Sequence, residues 1–298
     1  MTSDFMSLIR ERFSFFDRLL IVTIIFFIMF MATSLTLPII NTLLGHSTRA
    51  SLLTASVVQC LLAFIIPALL SARIAFGRPM HFLALDIPPT AKGIGGIIAV
   101  FVLSMPAMNQ LIYWNANIIF PEALSSMEHM MRSMENKAAE MTATMLSSDT
   151  LTGLIIEILI VGVLTGFAEE LFFRGTIQRA GAYRGANHTA IWVTALLFSA
   201  IHFQAFGFLP RLLMGAWFGY ILYWTGSIYM AAFAHILNNT VVVVSTWISH
   251  RYDLQSNTEA VGVAQTGFPV MAFVSALATL AFIYLLRHRL WHPQPSEK

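Results

Sequence analysis

Apolar residues along this chain gather into runs of about 20, the number a helix needs to cross a bilayer core. The runs fall at about 18–40, 51–73, 93–118, 152–180, 188–205, 208–225, 228–248 and 266–287, which predicts eight spanning helices. No period of 20 to 50 residues recurs along the chain, so the sequence carries no repeat architecture. The one long connection, 119–150, lacks glycine and carries Glu122, Glu128, Glu135, Glu140 and Asp149 among Met and Ala residues. It predicts an amphipathic helix on the outer face, with Met127, Met130, Met131 and Met134 as its apolar stripe. Pro88-Pro89 and Gly93-Ile-Gly95-Gly96 separate the second and third runs. Three stretches result: 1–150 with three membrane helices and the outer segment, 151–250 with most intramembrane polar groups, and 251–298 with the last helix and a tail.

Composition agrees with the pattern. Of 298 residues, 57% are hydrophobic and 11% charged, against about 25% charged in soluble domains. The expected class is an all-α polytopic integral membrane protein with the lipid bilayer as its solvent. A net charge of +2 with no basic cluster excludes a nucleic-acid partner. The single cysteine, Cys60, lies in an apolar run and reads as a small buried residue. Arg10, Arg12 and Arg18 precede an apolar run from Leu19 to Ile40, too long for a signal-peptide core, so it reads as the first membrane helix. With the N-terminus inside, inner segments hold Arg10, Arg12, Arg18, Arg73, Arg78, Lys92, Arg174, Arg179, Arg184, Arg287, Arg289 and Lys298, twelve of the 17 basic residues. Arg49, Arg132, Lys137, Arg211 and Arg251 fall outside, so both termini are expected in the cytoplasm.

Charge inside the apolar runs then changes the picture. Gly166-Phe-Ala-Glu-Glu-Leu-Phe-Phe-Arg-Gly175 places Glu169, Glu170 and Arg174 in the fourth run. Ionisable groups at membrane depth are costly and face a protein interior or a wet cavity. Glu170 and Arg174, four apart, share a helix face and can pair, whereas Glu169 points about 100° away without a local partner. Phe198 and His202 lie one turn apart late in the fifth run, and His235 and Asn239 share a face of the seventh. Depth favours a long fourth helix. If it continues to Gly181, Glu169 lies 12 residues, or about 18 Å, from its inner end, near the level of His202. Glu157 is expected at the outer interface, and Gln204, Asn238 and Trp217 are expected to serve packing.

A carboxylate in a dry pocket is a stronger proton acceptor, and a histidine beside it can share the proton. A second histidine with a side-chain amide can donate to an oxyanion. That equipment suits amide hydrolysis by activated water, with no cofactor required. The same Glu, His and His set could instead hold zinc, although the chain lacks His-Glu-x-x-His spacing.

Glu169-Glu170-x-x-x-Arg174, Phe198-x-x-x-His202 and His235-x-x-x-Asn239 resemble, in order, the three motifs of the CPBP family. These are the CAAX proteases and bacteriocin-processing enzymes, also called Abi, which include the Rce1-type prenyl-protein endopeptidases. The resemblance covers about 152–248 and implies an Rce1-like eight-helix core and an intramembrane glutamate-type protease. It implies that Glu169 activates water with His202, that His235 and Asn239 form the oxyanion site, and that Glu170 and Arg174 support them. The implied substrate is a peptide or lipidated protein, cut near the cytoplasmic face. Family members also serve as non-catalytic immunity or partner-binding proteins. A proton-coupled transporter fits less well, because no inverted repeat is present.

Overall fold

The computed structural model describes residues 13–185, 187–252 and 261–289. Its helices begin where a hydroxyl precedes an apolar run. Ser14 accepts from Asp17 N while Asp17 accepts from Ser14 N, a reciprocal cap that starts α1, Phe15–Leu44. Thr48, Thr90 and Thr150 cap the first turns of α2 (Arg49–Phe76), α3 (Ala91–Ala116) and α5 (Leu151–Gly181) one way only, each hydroxyl accepting from the backbone N–H three residues on. Between α3 and α5 lies α4, Ser125–Met145. The remaining helices are α6 (Asn187–Ala200), α7 (Phe208–Thr225), α8 (Ile228–Tyr252) and α9 (Val270–Arg289). Gly226, left-handed at φ 68°, ends α7 and lets α8 begin two residues later.

Among the described residues seven helices are long and apolar enough to cross a membrane: α1, α2, α3, α5, α7, α8 and α9. The chain is thus all-helical and multi-pass, with α5 running through to Gly181 as the depth argument requires. The expected eighth span, 188–205, is shorter than predicted. α6 has 14 residues, about 21 Å, because the chain turns after Ala200 and Phe203 adopts φ 54°. α6 and α7 pack against each other as a hairpin.

One core runs through most of the bundle, joining Phe64 of α2, Ile97 of α3, Phe172 and Phe173 of α5, Phe198 of α6 and Phe218 of α7. Leu20, Phe27 and Leu35 of α1 and Val274, Leu277 and Leu280 of α9 remain exposed, as expected where lipid is the solvent. Cys60 is buried as expected, beside Thr165 Oγ1 at 3.6 Å.

The 119–150 segment forms the predicted helix. None of α4 is fully buried, and Met127, Met130 and Met134 are exposed along one face. Polar side chains pin it. Glu128 accepts from Phe120 N at 2.9 Å and pairs with Arg132 at 2.8 Å, and Glu135 accepts from Phe206 N at 3.3 Å. Glu157 stays at the outer end of α5, as expected, but turned inward rather than toward the interface. It is fully buried, pairs with Arg49 at 2.8 Å and accepts from Ser148 N at 3.3 Å. A buried carboxylate needs such a partner, and this one is 108 residues away. Of the residues used for orientation, Arg10, Arg12 and Lys298 lie outside the described residues, as does the tail from 290.

Candidate active site

α5 and α8 meet through small residues. A Cβ on Gly166 would stand 3.1 Å from Ile236 N, and one on Gly162 would stand 2.8 Å from Thr240 Oγ1. Gly162 and Gly166, one turn apart, therefore admit the α8 backbone at Ile236 and Thr240, the close approach that small-xxx-small spacing allows. This contact sets Glu169 and Glu170 beside His235. Wide, π-type turns at Ile158–Leu164 and Phe173–Gln178 flank the acids. Such turns concentrate at functional positions.

A chain of contacts follows. Arg174, with no exposed surface, donates from Nη1 to Glu170 Oε1 at 2.8 Å and from Nη2 to the Gly215 carbonyl at 2.9 Å. Its guanidinium lies over the rings of Phe198 and Phe218, 4.4 and 5.4 Å from their centroids. Cation–π contact and charge-assisted hydrogen bonds offset part of the cost of removing the pair from water. Glu170 Oε1 also meets His235 Nδ1 at 2.8 Å. A carboxylate already held by an arginine is an acceptor, so His235 Nδ1 carries the donated proton. The ring stacks on Phe218 at 4.9 Å, and its Nε2 faces Glu169 Oε2 at 3.9 Å. That distance is too long for a direct hydrogen bond and suits a bridging water. Glu169, unpartnered along its own helix, thus finds its partner across the bundle.

His202 lies in the turn that ends α6, beyond the helix that was expected to carry it. Its Nδ1 donates to the Phe198 carbonyl at 2.7 Å, capping the helix end. Its ring meets Phe198 edge-on at 5.1 Å, and Phe198 meets His235 edge-on at 5.8 Å. Both imidazoles therefore flank one phenyl ring, and within 4 Å of Glu169 stands His235, not His202. Asn239 lies one turn past His235 and donates to the Val161 carbonyl, inside a wide turn of α5, at 3.2 Å. Asn238 donates to Asn239 at 3.3 Å, and Gln204 accepts from Arg211 at 2.7 Å. No group of three or more His, Cys, Asp or Glu among the described residues is arranged to hold a metal ion.

Sequence reasoning missed what positions the His202 turn. Asn115, at the end of α3, donates to the Ala205 carbonyl at 3.1 Å and accepts from Leu209 N at 2.8 Å. Ser199 donates to the Phe208 carbonyl at 2.7 Å. Gly215 gives Arg174 its room, since a Cβ there would stand 3.2 Å from Nη2. Asn115 gave no signal beyond one polar residue near the end of an apolar run, whereas the Gly162 and Gly166 spacing was readable. Beside the site lies a largely apolar cavity of about 620 Å³ among α3, α7, α8 and α9. Trp217, Phe218, Ala234 and Asn238 line it, so Trp217 and Asn238 border this space as well as packing.

Fold and site define a multi-pass membrane protein with a half-buried Glu/His/Asn constellation. Residues 151–241 match the family model described as Type II CAAX prenyl endopeptidase Rce1-like, a stretch containing Glu169, His202, His235 and Asn239. An uncharacterized protein of Bacillus subtilis (strain 168), YpbD, is 27% identical over 100 residues, covering 32% of this chain and 49% of its own length. The chain thus spans about half of that relative. No solved structure matches it at a significant level.

Proposed function

We propose that the chain is an intramembrane endopeptidase that hydrolyses a peptide bond of a membrane-associated protein or peptide, using Glu169 as general base. The observation that carries this reading is the line of contacts Arg174, Glu170, His235, Glu169, which ends in a 3.9 Å gap between a carboxylate and an imidazole nitrogen. A water in that gap gives one proton to Glu169 as its oxygen bonds to the scissile carbonyl carbon. His235 Nδ1 is committed to Glu170, so its Nε2 is the acceptor that holds the water's second hydrogen. The amide N–H of Asn239 not bonded to Val161 serves the oxyanion. As the C–N bond breaks, Glu169 returns its proton to the leaving amine. His202, with Nδ1 spent on Phe198, is left with Nε2 as an acceptor; Glu169 and His235 take both water hydrogens, so it can receive only a hydrogen of the substrate. The resemblance pairs Glu169 with His202; the geometry favours His235 for that contact.

The basic-residue bias supports cytoplasmic termini. Glu135 ties the turn after His202 to α4, the segment assigned outside, which supports a cut in the outer half of the membrane in place of the cytoplasmic face that the resemblance implies. The apolar cavity beside Phe218 would take an apolar part of the substrate.

Glu169→Gln tests the reading. Loss of a general base predicts a fall of about 10²- to 10⁴-fold in turnover with the melting profile unchanged. Comparative peptidomics of membranes from wild-type and Glu169→Gln cells should show peptides that depend on Glu169. An identical profile would assign the chain to a non-catalytic, partner-binding role.

A further inference from the structure

Arg211 is a cation near this site with no ionic partner among the described residues. It lies in the first turn of α7, and its guanidinium folds over Gly207, where an added Cβ would stand 3.0 Å from Nη2 and 3.7 Å from Nη1. Nη2 donates to Gln204 Oε1 at 2.7 Å. Nη1 is buried with no acceptor. By contrast Arg49, Arg132 and Arg174 each hold a carboxylate at 2.8 Å. The nearby acid Glu135 is engaged by Phe206 N. Arg211 is close enough for its charge to act on both Glu169 and His202. Its neighbour Gln204 belongs to the same turn as His202.

A half-buried guanidinium that Glu135 and Glu169 act on only from a distance, with no carboxylate in contact, is costly to hold in an apolar bundle, and an unmet buried N–H adds about 1–3 kcal/mol. Either cost falls when an anion arrives. The planar guanidinium fork matches a carboxylate in two-point geometry. Of the acids of the site, Glu170 is paired with Arg174, while Glu169 only faces His235 Nε2 at 3.9 Å.

We infer that Arg211 is a specificity-determining residue that receives a carboxylate of the bound peptide within a few residues of the scissile bond. The inference rests on the endopeptidase reading for the identity of its ligand. The carboxylate is either the free C-terminus or an Asp or Glu side chain.

Binding without turnover separates these sources. Purified Glu169→Gln protein is incubated with a library of apolar decapeptides made as C-terminal acids and as amides, each with and without one Asp or its Asn counterpart. Retained peptides are quantified by mass spectrometry. The carboxylate member of a pair should be retained about 10- to 100-fold better, the worth of a charge-assisted hydrogen bond. Preference within the acid and amide pairs identifies the C-terminus; preference within the Asp and Asn pairs identifies a side chain. Arg211→Gln should bring the ratio close to one, and Arg211→Lys, with charge but no fork, should give an intermediate value. Melting curves confirm that each variant folds, and the Lys variant carries the test if the Gln variant does not. Equal retention of all pairs, or a preference that Arg211→Gln leaves intact, overturns the inference. Wild-type protein is assayed for cleavage of the same peptides. Arg211-dependent retention without cleavage removes the endopeptidase reading alone, and cleavage indifferent to the carboxylate removes the Arg211 inference alone.

Discussion

Arg174→Met isolates the buried ion pair. The substitution keeps an apolar side chain between Phe198 and Phe218 but strips Glu170 of its cation, leaving a carboxylate with no exposed surface and one remaining donor, His235. Breaking one side of a buried pair costs about 3–5 kcal/mol, mostly the penalty of an uncompensated charge. Loss of the bond to the Gly215 carbonyl adds about 1 kcal/mol. Thermal melting in detergent, followed by tryptophan fluorescence, should therefore show a large downward shift. Adding Glu170→Gln to Arg174→Met removes the stranded charge while keeping an oxygen for His235 Nδ1, so the double variant should regain most of the lost stability. It should not regain activity, since the anchored imidazole loses the charge that polarises it. The reasoning fails if Arg174→Met melts like wild type, or if the double variant is no more stable than the single one.

Other expectations follow from single contacts. Gly166→Val forces branched carbons against the Ile236 backbone, already 3.1 Å from an ideal Cβ, and should cost about 1–3 kcal/mol or more by melting while lowering turnover through displacement of His235. The Phe120 N–H, and after it Arg132, hold the Glu128 carboxyl below its ordinary value near 4.5. A depressed folded value means that this anchor is intact above the unfolded value and is lost as pH falls through the folded one. Hydrogen exchange over 118–132, corrected for intrinsic rates, should therefore rise only under acid conditions in wild type, and already at pH 7 in Glu128→Gln. Equal protection in both proteins at pH 7 would deny Glu128 that role.

What was readable in the chain was what depends on neighbours in sequence. Runs of apolar residues gave the long helices, and four-residue spacing gave the Glu170–Arg174 pair and the shared face of His235 and Asn239. The stop of α6 at Ala200 was hidden because no Gly or Pro marks it; a phenylalanine, Phe203, takes the left-handed turn, and distant contacts hold it there. Those contacts, from Asn115 and Glu135, come from 90 and 71 residues away. The burial of Glu157 was hidden for the same reason, since Arg49 is remote in sequence. The partner of Glu169 was likewise invisible along α5, because the Gly162 and Gly166 contact with α8 creates it.

The early end of α6 also leaves backbone groups that the fold has to answer. A helix that stops in an apolar layer presents carbonyls lacking their intrahelical partners, and one that starts there presents bare N–H groups. Here the stop of α6 and the start of α7 fall together, within the turn 201–207. Lipid cannot answer such groups, so irregular backbone at this depth survives only against protein or water. Asn115 and Glu135 satisfy part of the demand from the protein side. The two open helix ends thus make the turn after α6 the part of this hairpin that polar partners, from the protein or from solvent, must cover.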